Sequence, residues 1–265
     1  PSRSVAADGV GARRDSRTND SRTDDPPRRQ STIDNRQSTI GPMRILVTAG
    51  PTREFFDSVR FISNPSSGKM GYAIAAEAAR RGHKVDLVSG PVDLAVPKGV
   101  KVTRVGTAQE MFEAANALFP RCRAAIMTAA VCDYRPASRL DHKLKKSHRV
   151  RSLRLVPTPD ILAHLGKTKG DRVLIGFAME DHDEHRRAEA KLRRKRCDAM
   201  VLNGLRNVGG DRATVQVFRP AAGWDRPVSG TKLRIAKLVV DLVERLSRET
   251  KRPSTIAGPS RPEAG

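Results

Sequence analysis

From Arg44 to Leu246, short apolar runs alternate with segments of helical period, and this alternation restricts the chain to a small group of folds. Arg44–Thr48 (RILVT) reads as a buried strand closed by Ala49-Gly50-Pro51, and a long loop follows. Gly71–Arg81 then places apolar residues on one helical face. Val85–Val88 is the next strand, stopped by Ser89-Gly90-Pro91. Thr107 and Glu110 form a capping box ahead of a helix that runs to about Phe119. The reading continues with a strand at Ala124–Thr128, a half-exposed strand at Arg151–Val156 and a short helix at Pro159–Leu165. Next come a strand at Val173–Phe177, a charged helix at His182–Arg196 and a buried strand at Ala199–Leu202. Thr214–Phe218 reads as an edge strand and Leu233–Leu246 as a closing amphipathic helix. The pattern predicts an α/β fold, a Rossmann-like three-layer αβα domain with a mostly parallel sheet. Ligands of such a sheet bind beyond the carboxyl ends of its strands, where this chain keeps its Gly, Pro and polar loops.

The flanks are of another kind. Residues 1–42 are rich in Arg, Asp, Ser and Thr and hold almost no large apolar side chain, so they are expected to be a disordered tail. Within them Arg29–Ile33 and Arg36–Ile40 repeat RQSTI, too little for a repeat fold. Residues 248–265 read as a second disordered tail, which leaves 43–247 as the folded domain. Of the formal charge of +21, each tail carries +2 and residues 43–247 carry +17. A folded surface so basic attracts anions, whether nucleic acid, membrane or phosphorylated small molecules. No run of 18 apolar residues suits a membrane span, and the N-terminal residues lack the apolar core of a secretory signal. Cys122, Cys132 and Cys197 have no metal-ligand spacing and read as reduced thiols of a cytoplasmic protein.

The loop from Thr48 to Ala75, TAGPTREFFDSVRFISNPSSGKMGYAIA, holds most of the chemistry. Gly50 and Gly68 remove side chains where a backbone must approach a ligand. Ser66, Ser67 and Gly68 offer hydroxyl and N–H groups at the start of a helix, where phosphate is favoured. The loop is neither a Walker A sequence nor a clean GxGxxG. On composition alone Asn64, before Pro65, is a turn residue, and the lysines at 143–146 are a solvated face.

The wording of the loop and of five later segments resembles bacterial phosphopantothenate–cysteine ligase, the synthetase half of a bifunctional coenzyme A biosynthesis protein. Those segments are AAVCDYRP (Ala129–Pro136), KLKK (Lys143–Lys146), TPDIL (Thr158–Leu162), GFAME (Gly176–Glu180) and the pair Lys191 and Lys195. The resemblance implies that CTP activates 4′-phosphopantothenate to an acyl-cytidylate with release of pyrophosphate, and that cysteine then displaces CMP. It implies Asn64 and Lys143 as catalytic residues, Asn64 stabilising the tetrahedral oxyanion of the second step and Lys143 serving activation. Arg60, Ser66, Ser67 and Gly68 would bind substrate. Gly50, Ala129, Ala130, Asp133, Pro159, Ile161, Phe177, Lys191 and Lys195 would bind the nucleotide, the backbone of Ala129 and Ala130 reading cytosine and Asp133 helping to hold Mg²⁺. It implies a homodimer as well, and a functional partnership with a separate phosphopantothenoylcysteine decarboxylase.

The chain departs from the pattern in three places. Ser58-Val59-Arg60 stands for PVR, Phe55-Phe56 for smaller residues, and Leu202-Asn203-Gly204 for A-N-D, so that an acid is lost. Two other readings compete. An NAD(P)-binding Rossmann reductase would want an acidic residue after the second strand, yet Val88 leads to Ser89-Gly90-Pro91. A nucleic-acid-binding module would want stacking platforms, and only 4% of residues are aromatic. HDEH at 182–185 lacks the spacing of a zinc motif and reads as surface.

Overall fold

The computed structural model describes residues 41–204, 207 and 209–250. The expected tail 1–42 lies outside them save for its last two residues, and the tail 248–265 save for its first three. Among the described residues, thirteen strands and five α-helices follow one another as β1 (Arg44–Ala49), β2 (Arg53–Phe55), β3 (Phe61–Ser63), α1 (Lys69–Arg80), β4 (Lys84–Ser89) and β5 (Val100–Arg104). Then come α2 (Ala108–Leu118), β6 (Ala124–Met127), β7 (Tyr134–Pro136), β8 (Leu155–Pro157), α3 (Ile161–Thr168) and β9 (Val173–Ala178). The chain closes with α4 (Glu184–Lys195), β10 (Ala199–Asn203), β11 (Arg212–Arg219), β12 (Gly223–Trp224), β13 (Val228–Thr231) and α5 (Lys232–Glu249).

Six strands lie parallel in the order β5-β4-β1-β6-β9-β10, and β11 joins antiparallel beyond β10. Buried on both faces, the central strands are continuous apolar runs, Ile45–Val47 and Leu174–Ile175 among them. Val47 and Ile175 of these strands pack with Ile74 of α1 and Val239 of α5 on one face. Leu46 and Leu174 pack with Met111 of α2, Leu165 of α3 and Leu192 of α4 on the other. The αβα layering and the mostly parallel sheet are those predicted from the sequence.

Three local expectations change. The strand at 151–156 shortens to β8, which pairs antiparallel with β7 in a ribbon off the main sheet; Leu153 is exposed, so its alternation marks no buried face. The 214–218 strand is no edge, because β12 and β13 pair with β11 on the side away from β10. The closing helix runs on to Glu249. Strand β5 lies where no strand is expected: its V-K-V-T alternation is short, and none of its residues is fully buried. The hairpin β2–β3 lies inside what reads as loop.

Candidate active site

Strand order reverses direction between β1 and β6: from β1 the chain crosses to β4, from β6 to β9. At such a switch point the loops beyond the two strands separate and leave a crevice. The loop after β1 (50–68) and the loop after β6 (128–133) line it. An isolated parallel bridge between Pro51 and Ala130 joins them, and Ala130 N–H donates to Gly50 O at 2.9 Å. Thr52 Oγ1 accepts from Cys132 N–H at 3.0 Å.

Asn64 stands across this junction. Its Nδ2 donates to Ala130 O and to Val131 O, both at 3.1 Å. Two carbonyls facing one side chain fix which end of the amide meets them, because only N–H groups can donate. In this arrangement both Nδ2 hydrogens are engaged, and the other end of the amide is the acceptor Oδ1. Ala130 is engaged too, its N–H by Gly50 and its carbonyl by Asn64 and Thr52.

The side of the crevice toward β9 gathers the nucleotide candidates. Thr158 ties the TPD segment down by donating to Cys132 O at 2.6 Å and, through its N–H, to Asp133 O at 2.9 Å. Asp160 caps α3 by accepting from Ala163 N–H at 3.0 Å and pairs with Lys195. Lys191 reaches from α4 to Phe177 O, at 3.1 Å, where β9 ends. Burial pulls the pKa of Lys191 down, and the nearby carboxylates of Glu180 and Asp133 offset part of that shift. Burial lowers Lys195 likewise, with Asp133 acting against it. Asp133 is exposed, and Lys191 and Lys195 stand one helical turn apart on α4. Phe177 is half-buried, and Gly176 before it lies close against Met200 and Leu162. Pro159 is half-buried beside Asp160. Ile161 buries its side chain in the core with Leu165.

Helix α1 opens on the same crevice. Thr107, Asp160 and Thr231 give α2, α3 and α5 side-chain N-caps, whereas α1 begins at Gly68, in the left-handed region at φ +74, with no side-chain cap. Its first turn has no acid, so its partial positive charge is uncompensated and suits an anion. Lys69 Nζ binds Asp211 Oδ1 at 2.6 Å and Gly209 O at 3.2 Å, which brings the loop after β10 to the same place. A cavity of about 750 Å³ lies on the β4–β5 side, between Ser66, Ser67 and Lys69 and the loops at Gly90 and Arg104–Gly106. None of the nucleotide candidates lines it.

Lys143 stands apart. It is exposed between β7 and β8, and the structure gives it no hydrogen bond or ion pair among the described residues. Its neighbour Leu144 is held by Asp57 and by Arg60, whose Nη1 donates to Asp57 Oδ2 and to Leu144 O, both at 3.0 Å. Thr52, Asp57, Lys69 and Thr158 tie these loops together, though none is among the expected site residues. For Asp57 the signal was present: an Asp two and three residues before the N–H groups it binds is an Asx turn.

Among the described residues no cluster of three or more His, Cys, Asp or Glu could hold a metal. Asp133 by itself suits Mg²⁺ only as the partner of a triphosphate, which is how that ion usually sits in nucleotide sites. No helix among them is long and apolar enough to cross a membrane.

Residues 41–246 match the family model of the DNA/pantothenate metabolism flavoprotein C-terminal domain. The coenzyme A biosynthesis bifunctional protein CoaBC of Bacillus subtilis is 38% identical over 223 residues, 81% of this chain and 55% of the relative. Its counterpart in Escherichia coli K12 is 38% identical over 218 residues, 79% of this chain and 54% of the relative. The chain spans about half the length of these relatives. Among solved structures, the C-terminal domain of a CoaBC protein superposes with a TM-score of 0.67 at 38% identity, covering 78% of this chain and 96% of that one. A Cab2 mutant in complex with phosphopantothenate-cysteine shares the fold at a TM-score of 0.65 and 16% identity, over 79% of this chain and 89% of that one. The chain belongs to the family of the DNA/pantothenate metabolism flavoprotein C-terminal domain.

Proposed function

We propose that this chain is a phosphopantothenate–cysteine ligase. The observation that carries the reading is the convergence, in a member of this family, of Asn64, the Ala129–Asp133 turn, Phe177 and Lys191 on one crevice beside an uncapped helix N-terminus. The crevice suits a nucleoside triphosphate on its β9 side: Phe177 packs on the nucleoside, Ala129 offers backbone to the base, and Lys191 and Lys195 meet phosphate. CTP is the nucleotide of this reading, and Asp133 would help to hold Mg²⁺, which would supply positive charge against the triphosphate. The phosphorylated acid enters from the cavity, its phosphate at Ser66, Ser67 and the start of α1.

A carboxylate oxygen of 4′-phosphopantothenate attacks the α-phosphorus, the bond to the β-phosphate oxygen breaks, and pyrophosphate leaves. Lys143 and Arg60 supply positive charge as that negative charge shifts. The amine of cysteine then attacks the acyl carbon, the carbon–oxygen bond to CMP breaks, and the amine proton passes to solvent. Asn64 Oδ1 accepts from an N–H of the incoming amine and orients its lone pair, while its own N–H groups hold the Ala130–Val131 turn. The exposed Tyr134, Val150, Leu153 and Leu155 of the β7–β8 region support a homodimer built across that ribbon. A functional partnership with a separate phosphopantothenoylcysteine decarboxylase is part of the same reading, in keeping with the bifunctional CoaBC relatives.

Separating the two half-reactions tests this. Lys143→Gln should abolish pyrophosphate release even without cysteine. Asn64→Asp places a carboxylate oxygen against two carbonyls and beside an anionic intermediate. It should release about one pyrophosphate per site and then stall, aminolysis slowing by ~10²–10³. Mass spectrometry of the quenched reaction should find acyl-cytidylate; normal turnover by the mutant would remove Asn64 from the chemistry.

A further inference from the structure

The loop that carries Asn64 and the segment that carries Lys143 are fastened together by a residue with no part in the chemistry above. Asp57 is fully buried although charged, and three backbone N–H groups converge on it. Its Oδ1 accepts from Val59 N–H at 2.8 Å and Arg60 N–H at 2.7 Å, closing the turn that precedes β3. Its Oδ2 accepts from Leu144 N–H at 3.1 Å and from Arg60 Nη1 at 3.0 Å. Since Arg60 Nη1 also donates to Leu144 O, both peptide groups flanking Leu144 are gripped, the amide by Asp57 and the carbonyl by Arg60. Two further contacts extend the seam: Leu140 N–H donates to Phe56 O at 3.0 Å, and the Arg139 guanidinium lies 5.0 Å from the Phe55 ring centre. Burial opposes the Asp57 charge, but the N–H donors of Arg60, Val59 and Leu144 and the Arg60 guanidinium outweigh it, leaving its pKa below the ordinary carboxylate value. The grip therefore persists through neutral pH.

The clamp has a local purpose. Residues 143–151 carry three lysines and two arginines and are mostly exposed. Such a strand of like charge gains nothing by folding against a basic body. An anchor at Leu144 limits how far the neighbouring Lys143 can stray from the crevice, because consecutive Cα atoms are only ~3.8 Å apart.

We propose that Asp57 is a positioning residue for the activation step: acting through Leu144, it holds Lys143 to the loop that carries Asn64. The proposal rests on the reading that Lys143 serves activation. Asp57→Asn is the informative change, because it is isosteric. Its oxygen can keep the turn at Val59 and Arg60, while the new NH₂ faces the donors Leu144 N–H and Arg60 Nη1 and cannot accept from them.

Hydrogen exchange on the full chain without substrate should show faster exchange for the peptide covering 140–146 in Asp57→Asn, with the peptide covering 57–62 unaffected. Pyrophosphate release with phosphopantothenate and CTP should fall in kcat by ~10²-fold, the scale of a misplaced reacting group, with the KM for CTP changed by less than ~3-fold. If Asp57→Asn does not fold, Leu144→Pro deletes the same N–H from the donor side, and Leu144→Ala keeps it; only the proline should lose protection and pyrophosphate release. Unchanged exchange at 140–146 overturns the clamp. Faster exchange with unimpaired pyrophosphate release shows a clamp that positions nothing catalytic and overturns the proposal. If the unmutated chain releases no pyrophosphate, the ligase reading fails first, and the exchange result identifies Asp57 as structural.

Discussion

Gly71→Ala probes how closely helix α1 is seated on the sheet at the crevice. A β-carbon at Gly71 would lie 2.5 Å from Ala49 Cβ, 2.5 Å from Thr128 Oγ1 and 3.1 Å from Thr48 O. None of these atoms ends a long flexible side chain, so the start of α1 must move outward by ~1 Å to restore ordinary contact distances of ~3.5 Å. Overpacking of this kind costs ~1–3 kcal/mol, and two hard contacts place it near the upper end. Alanine recovers ~1 kcal/mol of helix propensity over glycine. The net loss is ~2 kcal/mol, a drop in Tm of ~4–8 °C for a chain of this size. The displacement also strains the hydrogen bond from Thr128 Oγ1 to Thr48 O, 2.6 Å long and adjacent to Ala129. Nucleotide affinity should therefore fall with stability. Thermal melting with and without CTP, and titration of CTP by calorimetry, measure both. A Tm equal to or above that of the unmutated chain would show that propensity outweighs packing and that the close seat of α1 on β1 is wrong.

Lys191→Met should raise Tm while raising the KM for the triphosphate. The folded pKa of Lys191 lies below the ordinary 10.5, so the folded state pays for the ammonium at neutral pH, and that penalty vanishes only as pH rises past the unfolded value. Relief of ~1 kcal/mol, the scale of a stabilising surface or core change, corresponds to ~2–4 °C; a lower Tm would show the lysine to be structurally favourable. Glu77, buried, accepts from Arg80 Nε and Nη2 and from Arg81 Nε, each at 2.8 Å, and the Arg80 hydrogen bonds lead in holding its pKa below 4.5. Its contribution is complete above 4.5 and is lost as pH falls through the depressed folded value, so Glu77→Gln should destabilise at pH 7 by ~1–3 kcal/mol and flatten the acid limb of the stability curve. Parallel acid limbs for the two proteins would contradict this.

The parallel sheet was legible because its strands are buried on both faces and therefore read as unbroken apolar runs, as in RILVT and VLIGFA. The β7–β8 ribbon and β5 were not, since exposed or half-buried strands lose that contrast and pair through backbone alone. The site divided along similar lines. Asn64, Ala130, Phe177 and Lys191 were found as motif members, and the structure brings them to one crevice. What the motifs did not convey was orientation. Asn64 turns its N–H groups inward because two carbonyls of a distant loop face it, and the side chain of Ile161 turns into the core. Lys195 meets Asp160, a partner made near only by packing of α3 on α4. Asp57 shows the same limit: its turn is local and readable, but its hold on Leu144 spans 87 residues of chain.

The central claim is tested most directly by a coupled assay on the unmutated chain with phosphopantothenate, CTP or ATP, and cysteine, following pyrophosphate and product mass together. The account predicts pyrophosphate release that requires both phosphopantothenate and nucleotide, and phosphopantothenoylcysteine with the nucleoside monophosphate only when cysteine is added, CTP being preferred. Pyrophosphate or phosphate release without the acid substrate, or no amide product with either nucleotide, would contradict it.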